Sequence, residues 1–168
     1  MKLLPLIRLT LAALPGLVGC STAFAALTPG QAEAFVRDFY AVYNPPGVPK
    51  LMEFYAADAT FTDPTFGLDL KNREEISQLL TKGLAKYESL ELQPDHTILA
   101  GDDLVVEGTM VGRLMGKTVR VRFASVFHFT GGKISAQRDM FDVLHFYTQL
   151  GIVPPQFRPK PAEPKTSS

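Results

Sequence analysis

The chain has 168 residues, of which 46% are hydrophobic and 20% charged, and its formal net charge at pH 7 is zero. This length and composition predict a single folded domain with a packed core, and the lack of a basic excess argues against nucleic acid as a partner. One cysteine and three scattered histidines offer neither an internal disulfide nor the spacing of a metal site, so we expect no metal and no cofactor.

The first 25 residues have the pattern of an export signal. Lys2 and Arg8 precede an apolar stretch over 9–18, which is too short to span a bilayer. Two processing sites compete: the segment 17–20 resembles the lipobox of bacterial lipoproteins, in which Cys20 is lipidated, and the segment 23–25 is similar to an ordinary cleavage site. We expect an exported, periplasmic domain that is held at the membrane only through a lipid on Cys20.

Helices dominate the first half of the predicted domain, which extends over 26–153. The segment from Thr28 to Gln31 fits a capping box with proline at the first helical position, and the segment from Asn72 to Glu75 fits a second capping box. A strand rich in threonine and phenylalanine ends at Pro64. The predicted elements are helices over 28–43, 49–56 and 72–87, and a short strand over 59–63.

Long strands dominate the second half. They are predicted over 90–99, 104–115, 118–130 and 134–143, with a hairpin turn at Gly131-Gly132. In the third of these strands, alternate residues form one apolar face on which Ser125 is the single polar residue. In the last strand, we expect Gln137 and Asp139 on one face and Ile134 on the other. The Pro-rich tail over 154–168 is predicted to be disordered.

Helices followed by an antiparallel meander predict an α+β fold. Over 28–155 this order resembles the cone-shaped fold of nuclear transport factor 2, shared by ketosteroid isomerase, SnoaL-like polyketide cyclases and limonene epoxide hydrolase, in which helices pack on a curved, mainly antiparallel sheet. The segment 54–64 resembles the ketosteroid isomerase segment that ends in the catalytic base, which falls on Asp63. The segments 125–127, 132–134 and 138–142 are similar to the end of limonene epoxide hydrolase, whose catalytic acid falls on Asp139. The segments 142–144 and 149–151 are similar to the ending of SnoaL-like domains, in which this strand region also supplies the acid/base aspartate.

The residues that assist catalysis in these families are replaced here. The oxyanion-hole tyrosine of ketosteroid isomerase falls on Phe39, and its protonated acid falls on Ser125. The arginine and second aspartate of the epoxide hydrolase fall near Val106 and Gly108, so neither group is present. The resemblance therefore supplies one acid from each family without its partners.

The resemblance implies an apolar small molecule held in a cone between the sheet and the helices. A cofactor-free isomerase or cyclase would use Asp63 as base and Asp139 as acid, because an apolar site raises the pKa of a carboxyl. The competing roles are a turn aspartate for Asp63 and an ion pair with a neighbouring arginine for Asp139. The predicted substrate-binding residues are Phe39, Tyr43, Tyr55, Phe61, Ser125 and Phe127.

Two other functions stay open. One is a non-catalytic small-molecule-binding or accessory lipoprotein that has kept the cone, and the weaker one is an epoxide hydrolase. The resemblance also implies a homodimer formed through the open face of the sheet.

Overall fold

The computed structural model describes residues 27–152, so Cys20, the export signal and the Pro-rich tail lie outside the described residues. Short 3₁₀ turns at Pro45–Gly47 and Met52–Phe54 flank the second helix. The elements in chain order are α1 Pro29–Ala41, α2 Val48–Leu51, β1 Tyr55–Asp63, β2 Leu68–Leu70, α3 Arg73–Leu84, β3 Tyr87–Ala100, β4 Asp103–Leu114, β5 Lys117–Thr130, β6 Lys133–Phe141 and α4 Val143–Gln149.

The six strands of the described range form one sheet in the order β2-β1-β6-β5-β4-β3. β1 and β6 run parallel, and the other neighbours are antiparallel. Side chains of α1 and α3 pack on one face of the sheet, which we call the inner face, and close the core there. The predicted alternation of β5 is confirmed, because Ser125 and the apolar side chains of its set are buried while Arg122 and His128 on the other set are exposed. This arrangement is the predicted α+β fold.

Both helix starts predicted from capping boxes are confirmed. Thr28 Oγ1 accepts a hydrogen bond from the backbone N–H of Gln31 at 3.3 Å, and Gln31 Oε1 accepts from the N–H of Thr28 at 2.9 Å. Asn72 Oδ1 accepts from the N–H of Glu75 at 2.9 Å, although the Glu75 carboxylate binds the N–H of Lys71 instead of that of Asn72. These bonds satisfy N–H groups that the first turn of a helix leaves free.

The predicted helix over 49–56 is wrong in its second half. Its sequence forms the single α-helical turn of α2 and a 3₁₀ turn, and Tyr55 and Ala56 already belong to β1. Tyr55 is paired with Ile134 of β6. This non-local pairing overrides the local helical spacing of the apolar residues.

The predicted strand over 134–143 ends two residues early, and a helix follows it. Asp142 is the N-cap of α4, and its Oδ1 accepts from the N–H of His145 at 2.9 Å. An aspartate at this position starts a helix by satisfying a free N–H group. The short strand β2 was also not predicted, because three residues are too few to show an alternation.

A bulge in β6 corrects the predicted faces of this strand. Phe129 is paired with Ile134, but His128 is paired with Ala136, so Ser135 is an extra residue in β6. Since a bulge shifts the alternation by one residue, Ile134 and Gln137 are both buried on the inner face.

Gly108 of β4 lies where the sheet has no room for a side chain. A Cβ at this position would lie 2.5 Å from the carbonyl oxygen of Gln93 and 2.8 Å from the ring of Phe123. We expect Gly108→Ala to lower the free energy of unfolding by about 1–3 kcal/mol, the usual cost of overpacking. Gly83 of α3 is the matched control, since a Cβ there meets nothing within 4 Å and alanine favours the helix by up to about 1 kcal/mol. Urea unfolding compares the two variants, and equal midpoints would contradict the packing argument.

Candidate active site

Asp63 and Asp139 lie on neighbouring strands and face the same side of the sheet. In the parallel pairing of β1 and β6, Phe61 lies opposite Gln137. Because side chains alternate along a strand, the residues two positions further on, Asp63 and Asp139, return to the inner face. Asp63 is buried, and its negative charge contributes to the raised pKa of Asp139. The structure therefore brings the two acids singled out in the sequence together.

Asp139 is half-buried as a residue, but its carboxyl is largely removed from water, which disfavours its charge. Burial raises its pKa from the ordinary value of 3.8 to about 6; the hydrogen bond from Gln137 and the neighbouring Ser125 hydroxyl act in the opposite direction, and the charge of Asp63 raises the pKa further. Among residues 27–152, Asp139 makes no ion pair, and Arg122 on the exposed face of β5 pairs with Asp95 instead.

A chain of polar side chains leads from Asp139 into the core. The Tyr55 hydroxyl donates a hydrogen bond to Gln137 Oε1, and Gln137 Nε2 donates to Asp139 Oδ1 at 2.8 Å. Tyr55 and Gln137 are 1% and 3% exposed, so water does not replace these partners. Sequence reasoning missed Gln137 as a site residue. The available signal was a second polar residue two positions before Asp139 on a strand with an apolar inner face.

Asp63 also holds the turn that follows β1. Its Oδ1 accepts from the backbone N–H of Thr65 at 2.8 Å and from that of Phe66 at 3.3 Å. This is the hydrogen-bonding pattern of a turn aspartate. Asp63 therefore combines the turn role that was weighed for it with a position next to Asp139.

Two tyrosines of the α1 region lie close to the acid pair. Burial raises the pKa of Tyr40 and that of Tyr43 well above the usual range, and the charge of Asp139 adds to both effects. Ser125 is near enough to lower the pKa of Tyr40, but the buried Tyr40 hydroxyl makes no hydrogen bond of normal geometry within the described part of the chain. Both tyrosines keep their protons at neutral pH and can only donate or accept hydrogen bonds there.

An open cleft of about 570 Å³ lies between α1 and β3. Asp139 and Asp63 are not part of its lining, whereas Tyr40 and Tyr43 line the cleft and lie near enough to Asp139 for its charge to raise their pKa. The two tyrosines therefore connect the lining of the cleft with the surroundings of the acid pair. The cleft is lined by Glu33, Val36, Arg37, Tyr40, Ala41, Tyr43, Asn44, Leu90, Glu91, Leu92, Pro94 and Thr97.

The other predicted binding residues divide into two groups. Tyr55 and Ser125 belong to the polar surroundings of Asp139. Phe39, Phe61 and Phe127 are buried in the packed core and do not line the cleft, so their contact with a ligand stays a prediction.

Over residues 27–152, no group of three or more His, Cys, Asp and Glu side chains is arranged to hold a metal ion. Within these residues, no helix has the length and apolar character needed to cross a membrane.

The fold and the buried acids define an α+β domain of the nuclear transport factor 2-like class. A family model of the SnoaL-like domain matches residues 36–137, which is more than half of the chain. The chain therefore belongs to the SnoaL-like domain family. A search of curated proteins found no match.

Solved structures share this fold at low sequence identity. A Catenulispora acidiphila protein with a ketosteroid isomerase-like fold, in complex with trimethylamine, is 24% identical with a TM-score of 0.66, over 74% of this chain and 97% of that chain. A Shewanella putrefaciens protein named as a SnoaL-like polyketide cyclase is 16% identical with a TM-score of 0.65, over 72% and 96%. An LEH-like epoxide hydrolase from M. tuberculosis is 18% identical with a TM-score of 0.61, over 72% and 90%. These similarities confirm the predicted fold.

Proposed function

We propose that this domain binds a mainly apolar small molecule beside Asp139 and moves a proton on it, as a cofactor-free isomerase or cyclase does. The observation that carries the proposal is the Asp139 carboxyl, whose pKa burial raises to about 6 on a face that also presents Asp63. A carboxyl with a pKa close to the working pH can both accept a proton from carbon and return it.

The contacts of Asp63 favour Asp139 as the group that carries the proton. One oxygen of Asp63 is held by the N–H groups of Thr65 and Phe66, so this carboxylate is fixed in the turn. Its negative charge supports the raised pKa of Asp139. The assignment of Asp63 as base and Asp139 as acid, made from the family resemblance, stays a prediction.

The cleft between α1 and β3 is the proposed route for the ligand. Its lining combines apolar side chains such as Val36, Leu90 and Leu92 with charged and polar ones, which suits a mainly apolar molecule that carries some polar groups. Asp139 is not part of the cleft lining, and the cleft residues Tyr40 and Tyr43 lie near it, so in this proposal a ligand reaches the carboxyl past these two side chains. The position of Asp139 outside the lining also favours the alternative function, a non-catalytic binding domain in which the ligand stays in the cleft.

The full chain, labelled at its carboxyl carbons, tests the proposal by an NMR pH titration. We expect one aspartate to titrate near pH 6, and its signal to be absent in Asp139→Asn. In Asp63→Asn the pKa of Asp139 should stay above the ordinary range, because burial contributes more to the raised pKa than the charge of Asp63 does. If Asp139 titrates near 4 in the unmodified chain, the acid–base role is wrong.

Deuterium exchange into a ketone distinguishes an enzyme from a non-catalytic binding domain. With 2-tetralone in D₂O at pH 7, we expect the chain to speed exchange at the carbon next to the carbonyl, and Asp139→Asn to return the rate to that of buffer. Asp142→Asn is the matched control, since Asp142 is exposed and asparagine also caps a helix. Binding seen as shifts of Tyr40 and Tyr43 signals, without faster exchange, would instead support the binding function.

Export and attachment through a lipid on Cys20 are also proposed, on the pattern of residues 17–20 alone. The mass of the mature N-terminal peptide tests this, because a chain that starts at Ala26 without lipid would exclude the anchor.

A further inference from the structure

We infer that Tyr55 and Gln137 are positioning residues that hold Oδ1 of Asp139 and leave Oδ2 as the atom that takes and returns the proton. This inference rests on the proposed function, because it specifies which atom of the same carboxyl acts. It is carried by the buried chain of hydrogen bonds from Tyr55 through Gln137 to Asp139.

The orientation of the Gln137 amide is the first step. The amide has an oxygen that only accepts and a nitrogen that only donates. Gln137 is buried, so both ends need partners inside the protein. Burial raises the pKa of Tyr55 well above the usual range, so its hydroxyl keeps its proton and donates to the amide oxygen. The amide nitrogen is thereby directed toward Asp139.

The second step is the difference this creates between the two carboxyl oxygens. Oδ1 accepts from the amide nitrogen at 2.8 Å. A proton on Oδ1 would either point at the amide N–H, donor against donor, or leave the amide with a hydroxyl oxygen, which is a weaker acceptor than a carbonyl oxygen. The amide cannot turn round while Tyr55 holds its oxygen. Protonation at Oδ2 leaves the bond between Gln137 and Oδ1 in place. The arrangement therefore selects Oδ2 for proton transfer.

The other groups around Asp139 do not impose such a choice. The Ser125 hydroxyl on β5 is both a donor and an acceptor, so it adapts to either form of the carboxyl. Asp63 on β1 raises the pKa through its charge, and Tyr40 and Tyr43 on the α1 side stay protonated. The amide nitrogen of Gln137 is the neighbour that can only donate, and its direction depends on Tyr55.

The test is the pKa of Asp139 in the carboxyl titration of full-chain variants. Tyr55→Phe keeps the ring and removes the donor to the amide oxygen, so the amide can turn this oxygen toward a protonated Asp139. We expect the pKa of Asp139 to rise by about one pH unit, a tenfold change in proton affinity. Gln137→Leu should also raise it, and the double variant should show no further rise beyond Gln137→Leu.

Tyr87→Phe is the matched control, because Tyr87 is a partly buried tyrosine of β3 that takes no part in this chain of hydrogen bonds. It should leave the pKa of Asp139 unchanged. An unchanged pKa in Tyr55→Phe, or additive effects in the double variant, would overturn the inference. If Gln137→Leu does not fold, the comparison of Tyr55→Phe with Tyr87→Phe still decides it.

The outcomes also separate this inference from the proposed function. A pKa near 4 for Asp139 in the unmodified chain counts against the proposed function itself. A pKa near 6 that Tyr55→Phe does not change counts against the positioning role alone.

Discussion

Asp139→Asn is expected to stabilise the domain at pH 8 and to have little effect on its stability at pH 4. The pKa of Asp139 is about 6 in the folded protein, against an ordinary value of 3.8. Between these values the folded chain binds the proton more tightly than the unfolded chain, so the ionisation of Asp139 lowers stability as the pH rises toward 6. Above pH 6, the difference of about two pH units between the folded and the unfolded pKa corresponds to a loss of about 3 kcal/mol in the free energy of unfolding. Asparagine avoids this loss because it does not ionise.

Urea unfolding at pH 4, 6 and 8 measures this difference. The gain of Asp139→Asn over the unmodified chain should be near zero at pH 4 and grow through pH 6 to its full size at pH 8. Asp142→Asn should follow the pH profile of the unmodified chain, because it changes an exposed carboxyl on the same segment. A gain that is equal at all three pH values would show that the ionised Asp139 does not destabilise the fold.

The expected loss of stability at neutral pH indicates why position 139 carries a carboxyl group. An asparagine of similar shape can accept the hydrogen bond of Gln137, so the bond alone does not require a carboxyl. A buried ionisable group that lowers stability at neutral pH is typical of residues kept for function. The stability measurement therefore tests the same property of Asp139 as the titration does, by an independent method.

The inner face of β5 was predictable because its pattern is local. Alternate residues from Val119 to Phe129 are apolar except for Ser125, and this alternation is enough to predict one buried side of the strand. The same pattern identified Ser125 as a polar residue among aromatic ones. Its position directly opposite Asp139 was not predictable, since it depends on the pairing register of β5 and β6 and on the bulge at Ser135.

The link between Tyr55 and Asp139 was hidden for a similar reason. Tyr55 and Gln137 are 82 residues apart, and their hydrogen bond exists only because β1 pairs in parallel with β6. Local spacing placed Tyr55 in a helix, and a local pattern contains no information on a parallel neighbour. Asp63 was singled out through the family resemblance, which does carry such non-local information.

Phe39→Ala is expected to lower the free energy of unfolding by about 3–5 kcal/mol, the range for a large aromatic side chain removed from a core. Phe39 is 0% exposed. Its ring stacks on that of Phe35 at 5.0 Å and meets the edge of Phe127 at 5.3 Å. Urea unfolding gives the value, with Phe66→Ala as the control, since Phe66 is 45% exposed and should cost about 1 kcal/mol or less.

The variant Phe39→Tyr separates a core residue from a ligand-binding one, at the position where the resemblance places a catalytic tyrosine. In a packed core, the added hydroxyl is buried without a partner and costs about 1–3 kcal/mol. In an accessible pocket, water or ligand would satisfy it and stability would hardly change. Because aromatic rings surround Phe39 on several sides, we expect Phe39→Tyr to lose the stability that a buried hydroxyl without a partner costs. Full stability of Phe39→Tyr, together with a loss below about 1.5 kcal/mol in Phe39→Ala, would instead place Phe39 at the ligand.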